Sequence, residues 1–265
     1  MDMGPHSPLI ALLLMAAGFA LIAGLELTTP FRRASQPRPA RWFTNLALFA
    51  IDTALVRLLL PLAMVGTAML AAERGWGLFN VVEVPTWLAF AATVLVLDLA
   101  IYLQHWATHR VPWLWRLHRV HHTDRDFDVT TAARFHPVEI LLSTLWKGAV
   151  VAALGAPALA VFVFETGFAL LTLWTHANLS LPAGIERVVR AVIVTPDMHR
   201  VHHSVRQPET DSNYGTFLSG WDRLFGTYVA AAHDPARTMP IGLREWQDDR
   251  PARLGFSLLL PFARD

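Results

Sequence analysis

The sequence predicts an all-α integral membrane bundle of about four to five spans, carrying a helical cap. Of the 265 residues, 54% are hydrophobic and only 16% charged, against about 25% charged in an ordinary soluble domain. The apolar residues collect in stretches near the length that crosses a bilayer. Histidines recur at helical spacing, once as HWATH and twice as HRVHH.

The first apolar stretch covers 8–28. No basic segment precedes it, and it exceeds the roughly 7–15 residues of a removable signal core, so it reads as a retained helix. Further stretches follow at 45–71, 86–106, 138–155 and 157–176, each near the roughly 20 residues that cross hydrocarbon. Only Gly155-Ala156-Pro157 separates the last two, which predicts a helical hairpin, either fully crossing or shallow and re-entrant. The segment 177–265 is more polar and has turn signals at Leu181-Pro182-Ala183-Gly184. It reads as short helices and loops over the bundle, with FSLLLPF resting at the interface.

Arginine placement orients these spans. Arg32, Arg33, Arg38 and Arg41 follow the first, and Arg110, Arg116, Arg119, Arg125 and Arg134 follow the third, whereas the loop before the third has only Arg74. The positive-inside rule then places the N-terminus outside and both basic segments in the cytoplasm, together with everything after His176. A net charge of +1 gives no reason to expect nucleic acid. The chain has no cysteine, which excludes disulfides, thiolate-held zinc and cysteine-ligated iron–sulfur clusters.

Asp98, Tyr102, His105 and His109 are spaced by four, three and four residues, which places them on one helical stripe. Asp98 lies inside an apolar run, where a carboxylate needs a partner: either the far N–H of a ligating imidazole or a donor on another helix. His118, His121 and His122 form one i, i+3, i+4 cluster, and His199, His202 and His203 form a second. His136, just before Pro137, and His176, with Asn178 nearby, fall at the same expected depth. Eight to ten imidazoles exceed the four of a tetrahedral site and suit two metal ions, whose identity ligand type alone does not fix. In WDRLFGTY, the aromatics Trp221, Phe225 and Tyr228 suit packing on the bundle, and Asp222 suits orienting a histidine.

HWATH and the two HRVHH segments resemble the three histidine boxes of the sterol desaturase/fatty acid hydroxylase superfamily of membrane di-iron oxygenases. DLAIYLQH, PWLWRLHRVHHT, RFHPVE, TPDMHRVHHS and DSNYGTFLSGWDRLFGTY are similar to the flanks of those boxes, over about 95–228. Trp106 stands where many members have arginine. The resemblance implies two iron ions and O2 as co-substrate, used to hydroxylate or desaturate a sterol, fatty acyl or related lipid. It implies His105, His109, His118, His121, His122, His199, His202 and His203 as ligands, with His136 and His176 as further candidates. The expected organisation is one integrated unit: N-terminal transmembrane helices over 1–85, the hydroxylase/desaturase-like catalytic region over 86–230 and a cytoplasmic tail over 231–265. No nucleotide-binding or haem-attachment motif is present, so electrons are expected from a separate reductase, ferredoxin or cytochrome b5-like donor. A histidine-rich metal transporter and a non-catalytic metal-binding membrane protein are the rival readings.

Overall fold

The computed structural model describes residues 7–263; Met1, expected on the outer side, lies outside them. The described residues are helical with no strand. Five candidate spans, Leu9–Thr28, Arg38–Val81, Thr86–Arg110, Pro137–Leu154 and Ala158–Thr175, are long and apolar enough to cross a membrane. The helices are α1 (Ser7–Thr28), α2 (Arg38–Leu59), α3 (Ala63–Arg74), α4 (Leu78–Val81), α5 (Thr86–Arg110), α6 (Pro112–His122), α7 (Pro137–Leu154) and α8 (Ala158–Thr175). The shorter α9 (Ala183–Val189), α10 (Pro196–His202), α11 (Gln207–Thr210), α12 (Gly220–Leu224) and α13 (Leu254–Leu259) follow.

The stretch expected as one span over 45–71 starts earlier, at Arg38, and breaks between α2 and α3 at Leu60-Pro61-Leu62. Pro61 lacks the N–H that an unbroken helix would need there. The tight turn expected after α7 forms: Gly155 closes the helix at φ 62°, and α8 begins just after Pro157, but both helices pack on α3 and α5 more than on each other. Gly77 packs against this turn so closely that a Cβ on it would stand 2.0 Å from the Gly155 nitrogen. Helices α3, α5, α7 and α8 share an apolar core of Met64, Ala68, Leu97, Ile101, Val151, Val161 and Phe164. Leu12, Leu13, Leu21 and Leu58 point outward, each more than half exposed, as helix faces meeting lipid do.

Below the bundle, a buried polar knot joins α2 to the segment after α6. Arg41 reaches Asp124 at 2.8 Å and also pairs with Asp128. Asn45 donates to the same Asp124 oxygen and to Thr130. Arg134 is fully buried; it donates to Asn45, Thr123, Ser257 and the carbonyls of Val120 and Pro251. Every charge here has a partner, as buried charge requires.

Candidate metal centre

Helix α5 ends at Arg110 and α6 begins at Pro112, so one residue, Val111, turns the chain. Proline suits the first helical position, where its missing N–H costs nothing. This sharp corner folds α6 back and sets His118 and His122 beside His105 and His109. Ring centroids of His109 and His122 are 4.8 Å apart, and those of His105 and His118 are 5.0 Å apart. The third box lies on α10, also begun by a proline and capped by the Thr195 hydroxyl, which accepts from the Met198 N–H.

Two groups of ligand atoms result. His105, His109, His118, His122 and His202 form one, and His121, His176, His199 and His203 form the other; within each, the ligand nitrogens lie within 4.8 Å of one another. The repeated motif thereby divides its labour. The first HRVHH gives its i and i+4 imidazoles, His118 and His122, to the first group and His121 to the second. The second HRVHH does the reverse, giving His199 and His203 to the second group and His202 to the first. The groups adjoin: His122 stacks on His203 with centroids 4.6 Å apart.

The chemistry of these nitrogens fits metal ions. The Nε2 atoms of His105, His109, His118, His122 and His202 are buried with no hydrogen-bond partner among the described residues. In the second group, Nε2 atoms approach one another: His176 to His199 at 2.9 Å, His121 to His176 at 3.1 Å and His199 to His203 at 3.3 Å. Two nitrogens each about 2.1 Å from one ion sit roughly 3.0–3.4 Å apart. His121 and His176 are both held at Nδ1 by a carbonyl, so their facing Nε2 atoms turn lone pairs on each other, an arrangement that a cation between them stabilises.

In five of the nine rings the opposite nitrogen is anchored, whereas the Nδ1 atoms of His109, His122, His199 and His203 have no hydrogen-bond partner among the described residues. The Nδ1 of His105 meets the Tyr214 carbonyl at 2.7 Å, that of His202 the Ser212 carbonyl at 2.7 Å, and that of His176 the Thr172 carbonyl at 2.8 Å. The Nδ1 of His121 meets the Arg134 carbonyl at 3.1 Å, and that of His118 meets the Glu139 carboxylate at 2.6 Å. An acceptor at Nδ1 holds the proton there and leaves the Nε2 lone pair for a metal. Burial, reinforced by neighbouring imidazoles, pushes His121, His122, His199 and His203 well below the ordinary imidazole value. Burial likewise brings His176 to about 4 and His202 to about 3. These rings are neutral at pH 7, the state a ligand requires.

The other candidates are placed elsewhere. His136 belongs to neither group: it caps α7 by accepting from the Val138 N–H, and its Nε2 faces the Leu258 carbonyl at 3.2 Å. Asp98 accepts from the Trp221 indole at 2.7 Å and the Leu218 N–H at 3.2 Å, so its partners lie on the cap and not on a histidine. Asn178 exchanges hydrogen bonds with the Arg32 backbone and ties down the α1–α2 loop. Asp222 acts at one remove: it accepts from the Tyr214 and Gly215 N–H groups, holding the loop whose Tyr214 carbonyl anchors His105. Glu139 and the anchoring carbonyls were not anticipated. Glu139 stands in the quoted RFHPVE motif, but nothing local announces its reach back over 21 residues to His118.

A sequence model of the fatty acid hydroxylase family matches residues 90–227, just over half of the chain. The chain belongs to the fatty acid hydroxylase family. Among curated relatives of this family member, an ornithine lipid hydroxylase of Rhizobium tropici is 28% identical over 227 residues, covering 82% of this chain and 65% of that protein. Human alkylglycerol monooxygenase is 30% identical over 165 residues, or 62% of this chain and 36% of the relative. Rat cholesterol 25-hydroxylase is 26% identical over 141 residues, or 53% and 46%. The hydroxylase-family chain thus spans less than two thirds of the length of each of these relatives. No solved structure matches it. All nine grouped histidines fall inside the matched 90–227 region.

Proposed function

We propose that this protein is a membrane lipid hydroxylase that holds one iron ion in each histidine group and uses O2 to oxidise a lipid C–H bond. The observation that carries the reading is the pair of adjoining, nitrogen-only groups whose Nε2 atoms converge. Two such ions supply the redox chemistry by which O2 inserts one oxygen into a C–H bond, the other leaving as water at the expense of two electrons and two protons. The chain's own residues do the rest. Anchored Nδ1 atoms fix His105, His118, His121, His176 and His202, neutral rings keep their lone pairs, and the bundle keeps water from the centre. The relatives named above are hydroxylases and monooxygenases, which favours hydroxylation over desaturation. A transporter would want ligands spaced along several spans; here both groups gather at one end of the bundle.

The electron donor is a separate protein in this reading, since the chain carries no motif for a redox cofactor beyond its histidines. Reconstituted protein supplied with reductant, iron and 18O2 is expected to give lipid product carrying the label. Turnover under strict anaerobiosis would end the reading, and a new double bond with labelled water would move it to desaturation.

The positive-inside distribution supports a cytoplasmic site. Single cysteines tested in intact cells check this, because the chain has none of its own. Ser35 and Glu83 are exposed at opposite ends of α2–α4. A cysteine at 83 is expected to react with an impermeant maleimide from outside and one at 35 only after lysis; the reverse pattern inverts the topology.

A further inference from the structure

We propose that the segment 217–225, together with α9 and the residues just after it, is a membrane-inserted wedge whose outer face is covered by the acyl chains of the bilayer. The inference rests on the reading that the five helices cross a membrane, and it concerns a part of the chain that the sequence places in an aqueous cap.

Two helices measure its depth independently. On α5, Asp98 lies about two turns before His105 and accepts from the Leu218 N–H and the Trp221 indole. One turn on, the Tyr102 hydroxyl is 2.7 Å from that of Thr227, and the Tyr102 ring stacks on Phe225 at 5.3 Å. On α8, the Phe217 ring edge comes within 3.4 Å of where a Cβ on Gly167 would stand, and Gly167 lies about two turns before the helix end at Thr175. The loop therefore lies alongside both spans, inside the stretch where they meet lipid.

Its neighbour goes with it. An antiparallel bridge joins Ile193 to Leu218, the Ser219 N–H donates to the Val192 carbonyl, and Arg223 donates to the Arg190 carbonyl. The face these residues turn away from the protein is apolar. Val188 is 71% exposed, Leu224 69%, Val192 59% and Phe225 50%. In water, so many exposed apolar side chains on joined segments are a liability; at that depth beside two spans, they meet hydrocarbon. Arg187 is exposed on α9, with a stem long enough to carry its guanidinium group to the headgroup layer, whereas the Arg223 guanidinium is satisfied within the segment by Ser219 and the Arg190 carbonyl.

The test uses nitroxide-labelled single-cysteine variants Leu224→Cys and Val188→Cys in nanodiscs of mixed phosphatidylcholine and phosphatidylglycerol. Leu13→Cys on the outer face of α1 is the lipid reference, and Ala231→Cys in an exposed loop is the water reference. Collision with a water-soluble nickel chelate is expected to be about tenfold or more rarer at 224 and 188 than at 231, and close to that at 13, because a charged reagent enters hydrocarbon at high cost. Should 224 and 188 collide as freely as 231 while 13 stays protected, the wedge is overturned. Free collision at 13 would instead overturn the membrane reading itself. All four side chains point outward, so the substitutions leave the core intact.

Discussion

His202→Ala and His199→Ala will each lose one metal ion, and they will lose different ones. His202 is the single imidazole that the third box gives to the group of His105, His109, His118 and His122, whereas His199 belongs with His121, His176 and His203. Iron per chain should fall from about two to about one in either variant, and activity should fall further than the roughly 10–100-fold typical of an outer-shell change. The division of the repeated motif sharpens the test. By metal content and spectroscopic signature, His121→Ala should resemble His176→Ala and differ from its neighbour His122→Ala. His136→Ala should keep its full metal, because that ring caps α7. If His121→Ala and His122→Ala proved indistinguishable, the assignment of two centres would fail.

Asp124→Ala will be the most destabilising single change outside the centre. One carboxylate oxygen accepts from Arg41, Asn45 and Thr131 at once. Burial alone would raise its pKa, but Arg41 and Arg134 outweigh burial and hold it below the usual carboxylate range. Truncation leaves a buried Arg41 with half its partners, and losses of this kind run to about 3–5 kcal/mol. Asp124→Asn keeps the shape and should fall in between. The sign of the pH dependence follows from a depressed folded value. The stabilisation is complete above the unfolded pKa of about 3.9 and is lost as pH drops through the folded one. Thermal unfolding in detergent measures both effects; an Asp124→Ala midpoint equal to wild type would show that the knot contributes nothing.

Much of this was legible because apolar length and helical histidine spacing are local properties. Five apolar stretches marked the candidate spans, and helical spacing marked the three histidine clusters, whereas the proline-led corner before α6 that directs the second box emerged only from the structure. Local spacing misled where a motif serves two places: HxxHH puts three imidazoles on one helical face, yet His118 and His121 look to different centres because the two boxes interleave. Asp98 was legible as a carboxylate needing a partner, though not as one bonded to Trp221 across 123 residues. The carbonyls of Tyr214, Ser212, Arg134 and Thr172 have no side-chain identity at all, so no reading of residue types announces them. The break at Pro61 was hidden by a run of leucines that suits either one helix or two.

The polar knot has a consequence for what counts as a part. His121 takes its orientation from the Arg134 carbonyl, and Arg134 is held by Asn45 and Ser257. Neither Asn45 nor Ser257 falls within the 90–227 stretch that the family shares. What is inherited recognisably and what is mechanically self-sufficient therefore have different borders. A graft cut at the borders of homology would carry every grouped histidine and leave behind the clamp that aims one of them.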